Sequence, residues 1–221
     1  MNKMILAVPK GRILNELSPI LTKANIIPEK EFYKSESRKL MFKTSVNFLD
    51  IIRVRSFDVA TFVAFGAAHL GVVGDDVLKE FNYDEVNNVM DLGIGKCKLS
   101  VAHKKDFLKK KQRNGHLMIA TKYKNTVTDY FASKGIRAEC IKLNGAIELA
   151  PKLGICSTIV DLVSSGKTLK ENNLVESEVL FKISSKLVVN KIAFKLNNDK
   201  VSQVIKQIKK EKKMTATTLI P

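Results

Sequence analysis

The sequence lacks any long apolar run. No stretch reaches the roughly 18 consecutive apolar residues that a membrane-spanning helix needs. Cysteine is scarce: Cys97, Cys140 and Cys156 have no paired spacing, which argues against a disulfide framework or a zinc site and for buried thiols. The three histidines, His69, His103 and His116, are scattered, and no H-E-x-x-H or comparable ligand set occurs. A secretory leader is not expected either. Lys10, Gly11 and Arg12 end the apolar run Met4–Val8, and no small-residue cleavage site follows it. That start reads as a β-strand of a cytoplasmic protein. Internal repeats and low-complexity linkers are missing as well.

Acids are also few beside the bases, 22 Asp and Glu against 38 Lys and Arg, leaving a net charge of +16. Such a field favours polyanions: nucleic acid, nucleotides or polyphosphates. The lysines concentrate in 104–111 and 206–213, and runs of this kind read first as solvated faces. No aromatic–basic interleaving or recognition motif is visible, so a duplex nucleic-acid reader is not expected.

What is present is a chain of 221 residues, 45% of them hydrophobic, enough to build one large domain or two small ones. Short apolar runs read as strands at Met4–Val8, Leu40–Lys43, Asp50–Val54, Leu70–Val73, Leu99–His103, Leu117–Ala120, Ala138–Leu143 and Cys156–Asp161. Helical patterns lie between them: Ile13, Leu14, Leu17 and Leu21 after Gly11-Arg12, and Val127, Tyr130 and Phe131 after Asn125. The alternation predicts an α/β architecture with largely parallel sheet. Residues Ser177–Val189 read as one long strand leading into a helix. Val201, Val204, Ile205 and Ile208 then follow helical spacing under a lysine-rich outer face. The two glycines of Asp91-Leu92-Gly93-Ile94-Gly95 fit either a crossing between lobes, with a return near residue 174, or a tight turn.

Four strand-end segments have the chemistry of a binding site. In Ser157–Asn173 an apolar run ends in Asp161, a small-residue turn follows, and a helix begins. Gly166-Lys167-Thr168 matches the end of a phosphate-binding Walker A loop, but that motif needs a glycine where Asp161 stands. Amides of Ser164 to Thr168, with the hydroxyls of Ser165 and Thr168, would instead point at one anion at a helix start. Asp161 is placed to meet a sugar hydroxyl or a metal-bound water. An ordinary turn with a serine cap fits the same residues. Pro9-Lys10-Gly11-Arg12 puts two cations and a glycine at the end of the first strand, where ligands of parallel sheets bind, or forms a solvated turn. Arg53–Asp58 is a third such segment. Gly71–Asp76 is a fourth, whose acids equally suit helix capping. Together the four imply one cleft for a phosphate-rich small molecule with Mg²⁺.

These motifs, taken together, resemble the ATP phosphoribosyltransferases in their short form. The matching blocks are AVPKGRIL (7–14), VRSFDVATFVAFGAAHLGVVGDDVL (54–78), DLGIGKCKLSVA (91–102), IATKYKN (119–125) and LNGAIELAPKLGICSTIVDLVSSGKTLKENNL (143–174), in family order. The resemblance implies transfer of the 5-phosphoribosyl group of 5-phosphoribosyl 1-diphosphate to N1 of the adenine of ATP, releasing pyrophosphate, as the first step of histidine biosynthesis. It implies a two-lobed fold like the type II periplasmic binding proteins, each lobe a mixed, mostly parallel sheet flanked by helices. Residues 1–90 with 174–221 would form the first lobe and 91–173 the second. Mg²⁺ would be the cofactor, carried by substrate without stable protein ligands.

Residue by residue, the resemblance assigns 5-phosphoribosyl 1-diphosphate to Glu148, Asp161, Ser164, Ser165, Gly166, Lys167 and Thr168, with Glu148 and Asp161 as the catalytic candidates. It assigns ATP and its polyphosphate to Lys10, Gly11, Arg12, Arg55 and Asp58. There are departures: Cys156-Ser157-Thr158 stands where the family usually reads A-D-A, Ser165 replaces a common threonine, and His69 replaces an aspartate. Only about 30 residues follow Val189, too few for the regulatory domain of long-form members. A regulatory subunit similar to histidyl-tRNA synthetase is therefore the expected partner, with a homodimer of this chain inside the hetero-oligomer, and neither nucleic acid nor membrane is expected to bind. Two other readings compete: a non-enzymatic two-lobed binding protein for a phosphorylated small molecule, and a basic nucleic-acid-binding protein.

Overall fold

The structure, a computed structural model, describes residues 3–105 and 117–217, with the backbone alone for 211–217. Most of the lysine run 104–111, His116 and the last part of the run 206–213 lie outside the described side chains. The chain divides into two compact units, the first made of Met1–Leu78, Asn82–Gly95 and Ser184–Pro221, the second of Lys79–Phe81 and Lys96–Ile183.

The first unit is built on a six-stranded mixed sheet. Its strands are β1 (Met4–Pro9), β2 (Met41–Lys43), β3 (Leu49–Val54), β4 (Leu70–Gly74), β5 (Val86–Asp91) and β11 (Ser185–Asn190), in the order β2-β3-β1-β4-β11-β5. β3, β1 and β4 run parallel at its centre, and the remaining pairs are antiparallel. The central strands are buried along nearly their whole length, which is why they read as unbroken apolar runs. Helices α1 (Arg12–Lys23), α2 (Ser56–Ala64), α3 (Asp75–Phe81, whose last three residues belong to the second unit), α7 (Lys191–Leu196) and α8 (Asn198–Thr217) complete it. The helical spacing holds: Leu14, Leu17 and Leu21 of α1 share one core with Val201, Val204 and Ile208 of α8, and Ile205 is partly buried against it.

The second unit carries a five-stranded mixed sheet. It consists of β6 (Cys97–Lys104), β7 (Leu117–Thr121), β8 (Ala138–Lys142), β9 (Thr158–Val163) and β10 (Leu174–Ile183), in the order β10-β6-β9-β7-β8. β9, β7 and β8 are parallel, and β10, β6 and β9 antiparallel. Helices α4 (Lys124–Ser133), α5 (Leu149–Lys152) and α6 (Lys167–Glu171) flank it. Its core gathers Ala102, Ala120, Ile147, Ala150, Ile159, Val163 and Leu169. Among the described residues, four of the nine strand pairs within these sheets are parallel. The sheets are thus mixed rather than mostly parallel: the parallel pairs lie at the centre of the first sheet but run out to the edge strand β8 in the second, because β2, β5, β6, β10 and β11 all pair antiparallel.

Two elements differ from the sequence reading. β5 escapes a periodicity search because Val86–Asp91 is an edge strand with Asn87 and Asn88 exposed. The long strand expected over 177–189 is two strands in two sheets. β10, read from sequence with the first lobe, pairs along β6 in the second unit. At Ser184 the backbone turns to Asp75 instead: its N–H donates to Asp75 Oδ2 (3.1 Å) and its carbonyl accepts the Asp75 N–H (3.1 Å). β11 then continues in the first sheet.

Candidate functional site

In the first unit, the carboxyl ends of β3, β1 and β4 share one edge because the three strands are parallel, and the candidate loops leave from that edge. Lys10, Gly11 and Arg12 follow β1, while Arg55 and Asp58 follow β3. The Lys10 N–H donates to the Val54 carbonyl (3.0 Å), so these two loops lie side by side. Lys10, Arg12, Arg55 and Asp58 are exposed. Arg55 occupies the position before α2, and Asp58 sits in the first turn of that helix, where its carboxylate suits the partial positive charge. Arg12 is held: its Nη2 donates to the Gly95 carbonyl (3.4 Å) and its Nε lies 3.6 Å from Glu16.

Other charged residues at this edge serve the scaffold. Arg53 is 5% exposed and donates to the carbonyls of Phe32 (2.7 Å), Lys34 (3.1 Å) and Ser37 (3.1 Å), with its guanidinium 5.2 Å from the Phe42 ring centre. It anchors the loop before β2. Asp75 bonds across to Ser184 and Lys186 (3.2 Å), so it does more than sit in the first turn of α3. Lys186 also reaches Asp91 (2.7 Å), which in turn accepts from the Ser184 hydroxyl (2.7 Å) and the Gly93 N–H (2.6 Å). Burial works to raise the Asp91 carboxyl, but Lys186, Ser184 and Gly93 outweigh it and lower its pKa from 3.8 to about 2. His69 supplies an acceptor: its Nδ1 takes the Ile5 N–H (3.2 Å) at the start of β1. Burial pushes the pKa of that imidazole down.

In the second unit, the parallel strands β9, β7 and β8 likewise present their carboxyl ends at one edge. Ser164–Gly166 leaves β9 there and enters α6. Gly166 has φ 74°, with nothing within 4 Å of the place a Cβ would take, so its backbone angle rather than crowding favours glycine. Ser164, Ser165, Lys167 and Thr168 are exposed. The Lys167 N–H reaches the Ser165 hydroxyl only at 3.5 Å, and the Lys170 N–H closes the first helical bond onto Gly166 (3.1 Å). With five residues, α6 adds little dipole; any anion here is held by the loop amides and hydroxyls.

Asp161 is half-buried on β9, opposite Ser100 of β6, and its Oδ1 accepts the Leu162 N–H (2.8 Å). Glu148 is half-buried just before α5, in the loop that leaves β8 from the same edge; Ala146, at φ 49°, turns that loop and the buried Ile147 anchors it. The loop after β7 emerges between them. There Thr121 Oγ1 accepts the Tyr123 N–H (3.0 Å) and Lys122 is half-buried. The block IATKYKN pointed to that loop without singling out a residue.

Among the described residues, no three or more His, Cys, Asp or Glu side chains are grouped to hold a metal, and no helix is long and apolar enough to cross a membrane.

Comparison with known proteins decides the family. The model "HisG: ATP phosphoribosyltransferase" matches residues 55–210. The ATP phosphoribosyltransferase of Paramagnetospirillum magneticum is 54% identical over 211 residues, covering 95% of this chain and 96% of the relative. The chain belongs to the ATP phosphoribosyltransferase family. A second relative of that name, from Rhodospirillum rubrum, is 52% identical over 210 residues, 94% of this chain and 92% of its own. A chain of the ATP phosphoribosyl transferase (HisG:HisZ) complex from Thermotoga maritima superposes with a TM-score of 0.81 at 30% identity, covering 96% of this chain and 99% of that one. Membership makes this chain a phosphoribosyltransferase, of the glycosyltransferase class, acting at the first step of histidine biosynthesis. It sets aside the two non-enzymatic readings. The family's fold is the two-lobed, type II periplasmic-binding-like one, and its reaction needs a divalent metal.

Proposed function

We propose that the chain is the short-form catalytic subunit, that adenine N1 of ATP attacks C1 of 5-phosphoribosyl 1-diphosphate, and that the residues named above bind the two substrates. The observation that carries the assignment is the exposed loop Ser164–Thr168 at the carboxyl edge of β9, turned by a left-handed Gly166 and preceded by Asp161. Loop amides and the hydroxyls of Ser165 and Thr168 hold the 5-phosphate, with Lys167 adding charge. Asp161 takes the ribose hydroxyls, and Glu148 orients the ribose or a water. Lys10 and Arg12, with Gly11 between them, hold polyphosphate, and Arg55 and Asp58 face the nucleotide.

Adenine N1 carries its own lone pair at neutral pH, so no strong base is required. The barrier lies in breaking the C1–O bond to an oxocarbenium-like centre. The residues therefore act by positioning and by stabilising charge on the departing pyrophosphate. Mg²⁺ fits this donor set: Asp161 and Glu148 offer hard oxygens without forming an all-protein cage, as suits an ion that arrives with phosphates. When bound, it neutralises charge on the leaving diphosphate.

The neighbour solved as a HisG:HisZ complex supports a second subunit for this chain, which we read as a regulatory subunit similar to histidyl-tRNA synthetase, joined by a homodimer of this chain, in the cytoplasm. The test mixes the purified chain with ATP, 5-phosphoribosyl 1-diphosphate, Mg²⁺ and pyrophosphatase, with and without that subunit, and follows phosphoribosyl-ATP by ultraviolet absorbance. Asp161→Ala should lower turnover far more than Lys210→Ala. Equal rates in the two variants would remove Asp161 from the site.

A further inference from the structure

Arg12 does not stand alone at the end of β1. One turn later on α1, Glu16 spends its two carboxylate oxygens on different tasks. Oε1 faces Arg12 Nε at 3.6 Å, and Oε2 accepts the Gly95 N–H at 2.8 Å. Arg12 Nη2 closes the ring by donating to the Gly95 carbonyl (3.4 Å). Gly95 is thus held at both its N–H and its carbonyl by the start of α1. The fit is tight. Gly95 has φ 63°, and a Cβ there would lie 2.8 Å from Ser185 Oγ and 3.1 Å from Ile13 Cγ1. Gly95 is also the last residue before the chain passes into the second unit.

The Arg12 and Glu16 side chains are 51% and 41% exposed, so the ion pair adds little to stability. Its effect is on geometry: a long guanidinium side chain with several rotamers is given one direction, and the direction is referred to the backbone of the buried Gly95.

We infer that Glu16 is a positioning residue for the transferase reaction, aiming Arg12 at the polyphosphate by fixing both its guanidinium and the Gly95 peptide. The inference rests on the reading of Lys10–Arg12 as an anion-binding loop. Glu16 itself touches no substrate. Glu16→Gln keeps an acceptor for the Gly95 N–H but loses the charge that faces Arg12, whereas Glu16→Ala loses both.

The test is a double-mutant cycle on kcat/KM in the full-length chain, with its regulatory subunit present, using Arg12→Ala, Glu16→Ala, Glu16→Gln and the double variant Arg12→Ala/Glu16→Ala. Thermal unfolding of each variant reports on folding. Glu16→Ala is expected to lower kcat/KM about tenfold, the size of one lost charge-assisted contact, and Glu16→Gln by less. The double variant should be no worse than Arg12→Ala alone, because Glu16 has nothing left to aim. Effects that multiply, or Glu16 variants that match the wild type while Arg12→Ala is impaired, overturn the positioning role. An Arg12→Ala chain with unchanged kcat/KM overturns the loop reading itself, which is a separate failure. If Glu16→Ala proves unstable, Glu16→Gln with the double variant Arg12→Ala/Glu16→Gln carries the cycle.

Discussion

Single residues set both the proposed binding loop and its supports, and the sequence shows the first more readily than the second. Asp161 to Thr168 is legible because the signal is local: an acid at a strand end, small residues, then a helix start. The Glu16–Gly95 contact is not, because it spans 79 residues and rests on a carboxylate that looks like any helix-surface glutamate. At Gly166 the open surroundings predict that shape, not volume, limits substitution. Gly166→Asn should keep more activity than Gly166→Val, since asparagine tolerates left-handed backbone and a β-branched residue loses about 1–3 kcal/mol there. Steady-state rates for 5-phosphoribosyl 1-diphosphate would check this, and equal losses would mean that the loop does not need this turn. Asp91 gives a pH test. Its folded pKa of about 2 lies below the ordinary 3.8, so its contribution is present above 3.8 and is lost as pH falls toward 2. The wild type should unfold at a higher temperature than Asp91→Asn near neutral pH, with the gap closing across that acid window. A gap that persists at pH 2 would count against the Lys186 and Ser184 pairing as its source.

Among the elements, those with strong periodicity were predictable and those defined by partners were not. α1 and the front of α8 show their buried stripes in the sequence, and the parallel strands show as apolar runs. β5 has no such pattern, and the break between β10 and β11 depends on Asp75, more than a hundred residues earlier. The start of α4 is another long-range device. Glu80, 6% exposed, accepts from the N–H groups of Asn125 (3.1 Å) and Thr126 (3.0 Å) and from the Thr126 hydroxyl (2.9 Å), while the Asn125 amide donates to the Glu80 carbonyl (3.1 Å). A carboxylate from elsewhere in the chain thus does what a local cap residue usually does. Glu80→Ala leaves those donors unpaired and should cost about 1–3 kcal/mol in urea unfolding. A value within error of wild type would show that water replaces the carboxylate.

For the whole molecule, the net charge of +16 acts on substrates that are all anionic. kcat/KM should fall as salt is added, through screening of attraction in the encounter, while Lys210→Ala stays close to the wild type at each ionic strength. A salt-independent kcat/KM would assign the lysine excess to something other than steering. Connectivity has its own consequence. The chain leaves the first unit at Gly95 and re-enters it at Ser184, and at that point the Ser185 N–H bonds to the Ile94 carbonyl (2.9 Å) and the Leu92 N–H to the Ser185 carbonyl (2.8 Å). The two ends of the interruption are neighbours in one hydrogen-bonded pair. In modular terms, residues 96–183 bridge the first unit's strands β5 and β11 although the two ends of that bridge already lie side by side, so a short turn joining residue 95 to residue 184 should leave that sheet's strand order unchanged, which circular dichroism and thermal unfolding of the shortened chain would check.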